Sequence, residues 1–483
     1  MNLLTDTRLE LMRRRLAGSG AGAAPVVATA VPRTPAGQLG IAERRMWKIY
    51  DLDPDSVSHN IGLVLDFDGY ELDAVVGSFE LMVREAEVLG SVIVVEDGVP
   101  RRTPVIGQGH WAVPGAVWEW GSRPANLPAA DPGGHRADIL AAASALVKAP
   151  FDLTREPPLR GRVYAGAGSR VTVVLVVHHL AVDDTSWALL LGTLVSGSRP
   201  GSGATARPGT DTAPDRATVD SAVRHALATW AAEDVRYPLS GSLPETDAAQ
   251  SWLSPLSDRD GVKITGPVDP ADIEALGAVS REVGATSNAL LIAVCALSVY
   301  ALTDAADHVL LVPSDNRRPG EDPSRVGYCG NIVPMRFSFD AGASVRDSLR
   351  TAVAAVYRAM EFATVDYGTV LTALRAAGGR FPVAEIMASV RNAPLRGVPV
   401  SARKEVSCES VFNGIGNYPI TFAFEIAPDN RVHLEVDYQP DIVDNAFARR
   451  ASAVTTALVA RVPQALDRTV GDLVHAVRET ETA

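Results

Sequence analysis

The sequence predicts a mixed α/β (α+β) protein of two lobes, and three features of the chain support this prediction. Short apolar runs typical of strands alternate with longer stretches typical of helices. The 483 residues, 47% of them hydrophobic, provide enough apolar material for a large core divided between two lobes. Residues 196–220 are rich in Gly, Ser, Pro and Thr, a composition that buries little surface and indicates a linker or loop between the lobes.

These features divide the chain into four parts. Residues 1–38 form a leader, in which a short basic amphipathic helix precedes a segment rich in Gly, Ala and Pro. An N-terminal lobe spans 39–195, the linker spans 196–220, and a C-terminal lobe spans 221–483.

Bulk composition excludes several classes of function. The formal charge of −12 argues against nucleic acid, because the phosphates would be repelled. No run of about 18 apolar residues is present, so no membrane partner is expected. Cys295, Cys329 and Cys408 are odd in number and widely spaced, which fits neither a disulfide framework nor a metal site and favours a cytoplasmic location. There is no dinucleotide fingerprint and no P-loop, so we expect no bound cofactor and no metal.

Strand-like and helix-like segments follow one another along both lobes. In chain order they are strand 59–69, helix 72–92, strand 171–177, helix 187–194, helix 220–235, helix 286–303, a strand that runs into a loop within 308–320, and a hairpin within 416–444 turning at 428–430.

The strand at 171–177 carries the strongest functional signal. Its seven apolar or β-branched residues predict a strand buried on both faces. The run ends at His178 and His179, where a side chain can be held rigidly and still face a cleft as a general base. Successive strand side chains point to opposite faces, so we expect one histidine in the cleft and the other buried as support. Spacing alone leaves a purely structural pair equally open.

The segment HHLAVDDTSW, which begins at His178, resembles the HHxxxDG signature of the condensation-domain superfamily of nonribosomal peptide synthetases. That superfamily is related to chloramphenicol acetyltransferase and to carrier-dependent acyltransferases. By position, the resemblance assigns His179 to the reaction centre and gives supporting roles to His178 and Asp183. Asp184 stands where the signature has glycine, a residue that tolerates positive φ more readily than aspartate does.

Other family motifs are matched in part. LGIAERRMW at 39–47 resembles the opening motif LSxAQxRMW, and its residues look structural. EAEVLGSVI at 85–93 resembles RHExLRTxF, with Gly90 in place of the second arginine. In the family that arginine pairs with the aspartate of the signature, so Asp183 needs another partner here. Arg160 and Arg162, which lie in a segment resembling FDLxxxPLxR, are the candidates.

The second lobe contributes VGYCGNIVPMRF at 326–337, which resembles the family element GxFVNTxPLR through Gly327, Asn331, Pro334 and Arg336. Asn331, Arg336 and Ser186 are the candidate tunnel residues of this interpretation. For Arg336 a structural ion pair remains the alternative.

The resemblance implies two chloramphenicol-acetyltransferase-like lobes that form a V-shaped pseudo-dimer with a central tunnel. It also implies a final helix over 447–466, after the hairpin. It implies a free-standing condensation enzyme of antibiotic or other secondary metabolism. The donor would be an acyl or aminoacyl thioester on the phosphopantetheine arm of a peptidyl or acyl carrier protein. The acceptor would be an amine or alcohol, either a small molecule, which we favour, or carrier-bound. His179 would act as general base or as a positioning hydrogen-bond donor, and the sequence leaves both roles open.

Three other functions remain as alternatives. An epimerization domain shares HHxxxD, and FNGIG at 412–416 is similar to its FNYLG, but PSDNR at 313–317 lacks the glutamate that epimerization needs. A non-catalytic docking relative is disfavoured by the intact His178–His179 pair. A coenzyme A-dependent acyltransferase of the same superfamily would need no carrier protein.

Overall fold

The computed structural model describes residues 37–105, 110–113, 117–120, 136–166, 168–198, 214–232, 234–235, 238–239, 259–317, 325–376 and 385–479. The helix expected near the N-terminus, nearly all of the leader and the middle of the linker lie outside the described residues.

Strands and helices alternate as the sequence predicts. The strands are β1 (Asn60–Asp68), β2 (Ser91–Glu96), β3 (Val99–Pro104), β4 (His110–Val113), β5 (Val117–Trp120), β6 (Leu159–Ala165), β7 (Arg170–His178), β8 (Val262–Val268), β9 (Asp307–Asp315), β10 (Gly330–Ser338), β11 (Ile386–Asn392), β12 (Glu405–Val411), β13 (Ile420–Ile426) and β14 (Val432–Tyr438). The α-helices are α1 (Ile41–Leu52), α2 (Leu72–Glu85), α3 (Arg136–Val147), α4 (Asp184–Ser196), α5 (Arg216–Ala228), α6 (Pro270–Glu282), α7 (Ser287–Thr303), α8 (Val345–Met360), α9 (Tyr367–Ala376), α10 (Asn445–Arg461) and α11 (Val470–Glu479). The mixed fold class is thus confirmed.

The first sheet has six strands in the order β12–β1–β7–β6–β5–β4, and β7 lies inside it between β1 and β6. One face of β7 packs into an apolar cluster with α2 and α4, through Val171, Val173, Leu175 and Val177. The other face, with Val174 and Val176, packs into a cluster with α1 and α3. Because helices cover both faces, the strand is apolar throughout instead of alternating. The prediction of a doubly buried strand at 171–177 is confirmed.

The second sheet has six strands in the order β10–β9–β11–β13–β14–β8. Helix α7 packs on it and is buried on nearly every side, which explains its almost entirely apolar sequence. The hairpin expected within 416–444 is present as β13 and β14, and Asn430 takes the positive φ of its turn.

One strand of the first sheet comes from the C-terminal part of the sequence. β12 lies within the segment predicted as the C-terminal lobe, 221–483, yet it pairs antiparallel with β1 at the edge of the first sheet. The C-terminal segment therefore completes the N-terminal sheet, and a boundary drawn along the sequence does not separate the two sheets in space.

Several helices differ from the sequence prediction. α5 begins at Arg216 because Asp215 caps it by accepting from Thr218 N at 2.7 Å, so its start lies inside the predicted linker 196–220. The helix expected over 72–92 ends at Glu85, where the chain turns into β2. A further helix, α11, follows the expected last one.

Among the described residues no single helix is long and apolar enough to span a membrane. The pair α6 and α7 meets the length and composition requirements together, but it is bent by 103° at its break.

Candidate active site

The turn after β7 places the signature residues. β7 ends at His178, a three-residue 3₁₀ turn begins at His179, and α4 begins at Asp184. Asp183 is the N-cap of α4, and its Oδ1 accepts from Ser186 N at 2.9 Å. Asp184 therefore occupies the first helical position and has no positive φ. An aspartate at the signature's glycine position is accommodated here without backbone strain.

His178 is buried, and its side chain makes a hydrogen bond to the backbone of the turn. Its Nδ1 accepts from Leu180 N at 3.1 Å, so the lone pair lies on Nδ1. The rings of Tyr50 and Phe151 contact it edge-on. Burial, with smaller contributions from neighbouring positive groups, holds its pKa well below the usual value. A neutral buried imidazole of this kind fits the supporting position that the resemblance assigns to it.

His179 is partly exposed and is oriented by its own turn. Its Nδ1 lies 2.7 Å from the carbonyl oxygen of Val182. A carbonyl can only accept, so Nδ1 carries the proton and Nε2 keeps a lone pair whenever the ring is neutral. The ring of Tyr328, from the segment before β10, packs edge-on against it with centroids 4.9 Å apart. The ring of His179 is thus held in one orientation, with Val182 O on one side and Tyr328 packed against it.

Asp183 is paired across the two lobes by Arg317, which follows β9. Both terminal guanidinium nitrogens donate to the carboxylate: Nη1 lies 2.7 Å from Oδ2, and Nη2 lies 2.9 Å from Oδ1. Neither of the two predicted arginines is the partner. Arg160 pairs instead with Glu156 at 2.7 Å, and Arg162 is buried on β6 without contact to Asp183. The pairing expected from the missing arginine at Gly90 is therefore supplied by the second lobe.

Ser186 and Asn331 also hold elements together. Ser186 Oγ donates to Asp183 Oδ1 at 2.8 Å and accepts from Gly327 N at 3.1 Å, which ties α4 to the segment before β10. Asn331 is fully buried; its amide donates to two carbonyls of the loop before α9, and its Oδ1 accepts from Arg45 of α1 at 3.0 Å. Both residues tie the first part of the chain to the second, and their assignment to a tunnel stays a prediction.

Arg336 does not belong to the site. It lies five residues beyond Asn331 on β10, about 17 Å along the strand. Its guanidinium pairs with Asp307 and Asp234, at 2.8 and 2.9 Å. These contacts support a structural ion pair for Arg336.

His59 is a site residue that sequence reasoning missed. It directly precedes β1, whose Asn60 is paired with His178, so His59 lies beside His179 across the ladder. The backbone N–H of His179 donates to the carbonyl of His59 at 2.7 Å. His59 is partly exposed, like His179. Its pKa is lowered to about 3, mainly by burial among protein groups and then by the nearby charges of His179 and Arg45. Only the register between β1 and β7 reveals this proximity.

Charged residues of the second sheet also lie near His179, and we use the term cleft for the surroundings of His59, His179, Asp184 and Tyr328. Asp184 is solvent-exposed, yet surrounding protein displaces enough water to raise its pKa, and Arg391 and His179 partly offset that rise. Arg391, on β11, pairs with Glu425 at 3.1 Å and with Glu435.

The described residues contain no group of three or more His, Cys, Asp or Glu side chains placed to hold a metal ion. All three cysteines are free.

Comparison with known proteins gives the fold but no family model that matches the chain. The chain is 24% identical over 382 residues to a linear gramicidin synthase polypeptide of Brevibacillus parabrevis. The match covers 75% of this chain and only 7% of that polypeptide. Among solved structures, the first condensation domain of the calcium-dependent antibiotic synthetase, in complex with a substrate analogue, superposes with a TM-score of 0.63 at 18% identity. That alignment covers 91% of this chain and 99% of the domain.

The chain has the condensation-domain fold. The resemblance recognised in the sequence is thereby confirmed at the level of the fold. A second structure with this fold, the X-domain in its complex with OxyB from teicoplanin biosynthesis, superposes with a TM-score of 0.66 at 16% identity. It covers 94% of this chain and 99% of that one. The V-shaped pseudo-dimer and its tunnel stay predictions.

Proposed function

We propose that this protein is an acyltransferase that acts on a carrier-bound thioester. It transfers an acyl or aminoacyl group from the phosphopantetheine arm of a peptidyl or acyl carrier protein to an amine or alcohol. The single observation that carries the proposal is the geometry of His179. Its Nδ1 is tied to Val182 O at 2.7 Å, and Nε2 is left as a base in a partly exposed cleft.

The chemistry needs little beyond positioning and one proton transfer, because a thioester is already activated. The acceptor nitrogen or oxygen attacks the thioester carbon while His179 Nε2 takes its proton. Collapse of the tetrahedral intermediate forms the amide or ester and breaks the C–S bond. The proton then passes from His179 to the departing sulfur, so the carrier arm leaves as a thiol and the histidine is again neutral.

Two neighbours act on His179 during this step. The carbonyl of Val182 accepts a hydrogen bond from Nδ1–H and holds the ring in one orientation. The charge of His179 offsets part of the rise that burial causes in the pKa of Asp184, and the same attraction stabilises the imidazolium formed during transfer. This pair of interactions supports general-base catalysis over a role limited to positioning.

The Asp183–Arg317 pair provides the rigidity that the mechanism requires. Asp183 caps the helix that follows His179, and Arg317 belongs to the second lobe. The position of the base is therefore coupled to the relative position of the two sheets.

A second candidate, a non-catalytic docking domain, is favoured by one observation, the similarity of the fold to the X-domain bound to OxyB. Epimerization is disfavoured because Pro313 stands where the second acid–base glutamate would be. The nearest carboxylate of that segment, Asp315, is held by Thr185 at 2.9 Å and by Arg317.

Donor competition tests the proposal. Wild-type protein and His179→Ala receive the same acyl group on a carrier protein, on coenzyme A and on a small thioester, each with a panel of soluble and carrier-bound amines and alcohols. Mass spectrometry follows the product. We expect transfer from the carrier and a loss of roughly 100- to 10,000-fold in His179→Ala. Equal rates from coenzyme A would identify the carrier-independent alternative. Absence of transfer with every pair, together with tight binding of a tailoring enzyme, would identify the docking alternative.

The control is His475→Ala. His475 is a surface residue of α11 with a side chain 75% exposed, and it pairs with Glu479 on its own helix. This variant should retain wild-type rates.

A further inference from the structure

The hydrogen bonds of His59 define its tautomer. Ser56 Oγ donates to Ser58 Oγ at 2.9 Å, so Ser58 has already received one proton. Ser58 is only 5% exposed, and among the described residues its own hydroxyl proton has one acceptor, Nδ1 of His59 at 2.8 Å. When the Ser58 hydroxyl donates to Nδ1, this buried group has its hydrogen-bond partner. The protons of Ser56 Oγ and Ser58 Oγ are then both used in one chain that ends at His59. His59 Nδ1 is therefore an acceptor, and the ring proton lies on Nε2.

His59 is also neutral at ordinary pH, because its pKa is about 3. Surrounding protein groups displace water from the His59 ring, and the nearby charges of His179 and Arg45 disfavour a positive charge on it. A neutral imidazole with its proton on Nε2 is a hydrogen-bond donor that does not compete for the acceptor's proton.

The two partly exposed histidines of the cleft therefore have opposite hydrogen-bonding character. His179 is protonated on Nδ1 and presents a lone pair on Nε2, whereas His59 accepts at Nδ1 and presents an N–H on Nε2. They are adjacent across the β1–β7 ladder, joined by the bond from His179 N to His59 O at 2.7 Å. Attack on a thioester needs both functions, a base for the nucleophile and a donor for the oxygen that becomes negative.

We propose that His59 is a second catalytic residue, whose Nε2–H donates to the thioester carbonyl oxygen as it becomes the oxyanion while His179 removes the acceptor's proton. This inference rests on the proposed acyl transfer and assigns a group to its oxyanion. Ser58 is the positioning residue, because its hydroxyl holds the proton of His59 on Nε2.

The kinetic test compares three variants with the carrier-bound donor. His59→Phe keeps a ring and removes the donor, and we expect kcat to fall roughly 100- to 1,000-fold with KM for the donor within about twofold. His59→Gln can place an amide N–H near the former Nε2, and we expect it to recover at least about tenfold over His59→Phe. Ser58→Ala should lower kcat by about tenfold, because the tautomer is no longer fixed. The matched control His475→Phe should have the wild-type kcat. A His59→Phe variant with wild-type kcat would overturn the proposal.

A spectroscopic test is independent of turnover. In protein labelled with ¹⁵N-histidine, long-range ¹H–¹⁵N spectra should show one ring, absent from the spectra of His59→Gln, that stays neutral with its proton on Nε2 between about pH 5 and 8. The same ring should shift toward the Nδ1–H form in Ser58→Ala. A protonated ring at pH 7, or an Nδ1–H tautomer in the wild type, would overturn the assignment. Absence of acyl transfer by the wild type, with the Nε2–H form observed, would refute the proposed function and the catalytic role while the hydrogen-bond assignment stands.

Discussion

Replacing Asp183 by alanine should damage the fold before it damages the chemistry. The carboxylate accepts from Ser186 N and Oγ, from Cys329 N at 3.0 Å, and from both terminal nitrogens of Arg317. The side chains of Asp183 and Arg317 are 10% and 11% exposed, so solvent screens the pair only weakly. Removing one partner of a buried pair costs about 3–5 kcal/mol, since the other charge is left uncompensated. Loss of the helix cap is part of that cost and is not an addition to it.

Two further variants separate the contribution of the ion pair to stability from that of the other hydrogen bonds of Asp183. Asp183→Asn keeps an oxygen for Ser186 N but loses the ionic contact, so we expect a cost of about 2–3 kcal/mol. Arg317→Met leaves the carboxylate with its remaining donors, Ser186 and Cys329, and should cost a similar amount. In the double variant Asp183→Asn/Arg317→Met, the loss of unfolding free energy should be smaller than the sum of the two single losses, because the two side chains are in contact. Asp429→Ala is the control; it breaks an exposed pair with Arg431 and should leave the urea midpoint close to that of the wild type.

Urea unfolding followed by circular dichroism measures these costs, and acyl transfer is then assayed at a temperature where each variant is folded. We expect Asp183→Asn to retain most of its activity under those conditions. A stable Asp183→Ala variant, within about 1 kcal/mol of wild type and yet inactive, would refute the anchoring role and indicate direct participation in catalysis.

Two other positions give predictions of different kinds. Glu385 is buried, which raises its pKa to about 7, although the N–H of Leu239 partly offsets this effect. Its contribution to stability is therefore complete below about pH 4.5 and is lost as the pH rises through 7, a loss of about 3 kcal/mol. Glu385→Gln should remove that loss, and urea midpoints at about pH 5 and 8 should show it; an unchanged pH dependence would contradict the assignment. Asp184→Asn should lower kcat about fivefold, because the imidazolium of His179 loses roughly 1 kcal/mol of attraction, with unfolding free energy within about 0.5 kcal/mol of wild type. An unchanged kcat would remove Asp184 from the mechanism.

The parts of the site that the sequence predicts are local. The apolar run of β7 and the two histidines at its end depend on neighbours within a few residues, so their pattern is visible in one segment. The cap at Asp183 is equally local, and it explains why Asp184 fits a glycine position: the residue begins a helix and needs no unusual backbone angle.

The parts that sequence reasoning missed depend on long-range pairing. Arg317 meets Asp183 across 134 residues, and nothing near either residue specifies the other. His59 becomes a neighbour of His179 only through the register of β1 against β7. β12 joins the first sheet from the far end of the chain, and its partly exposed edge position gives it no run of apolar residues.

The most direct test of the central claim is single-turnover transfer from an acyl-loaded carrier protein in the presence of its acceptor, compared between wild type, His179→Ala and His475→Ala. Product and free carrier thiol should form together in the wild type and in His475→Ala. In a folded His179→Ala variant both should slow by roughly 100-fold or more. Transfer by His179→Ala at the wild-type rate would contradict the account.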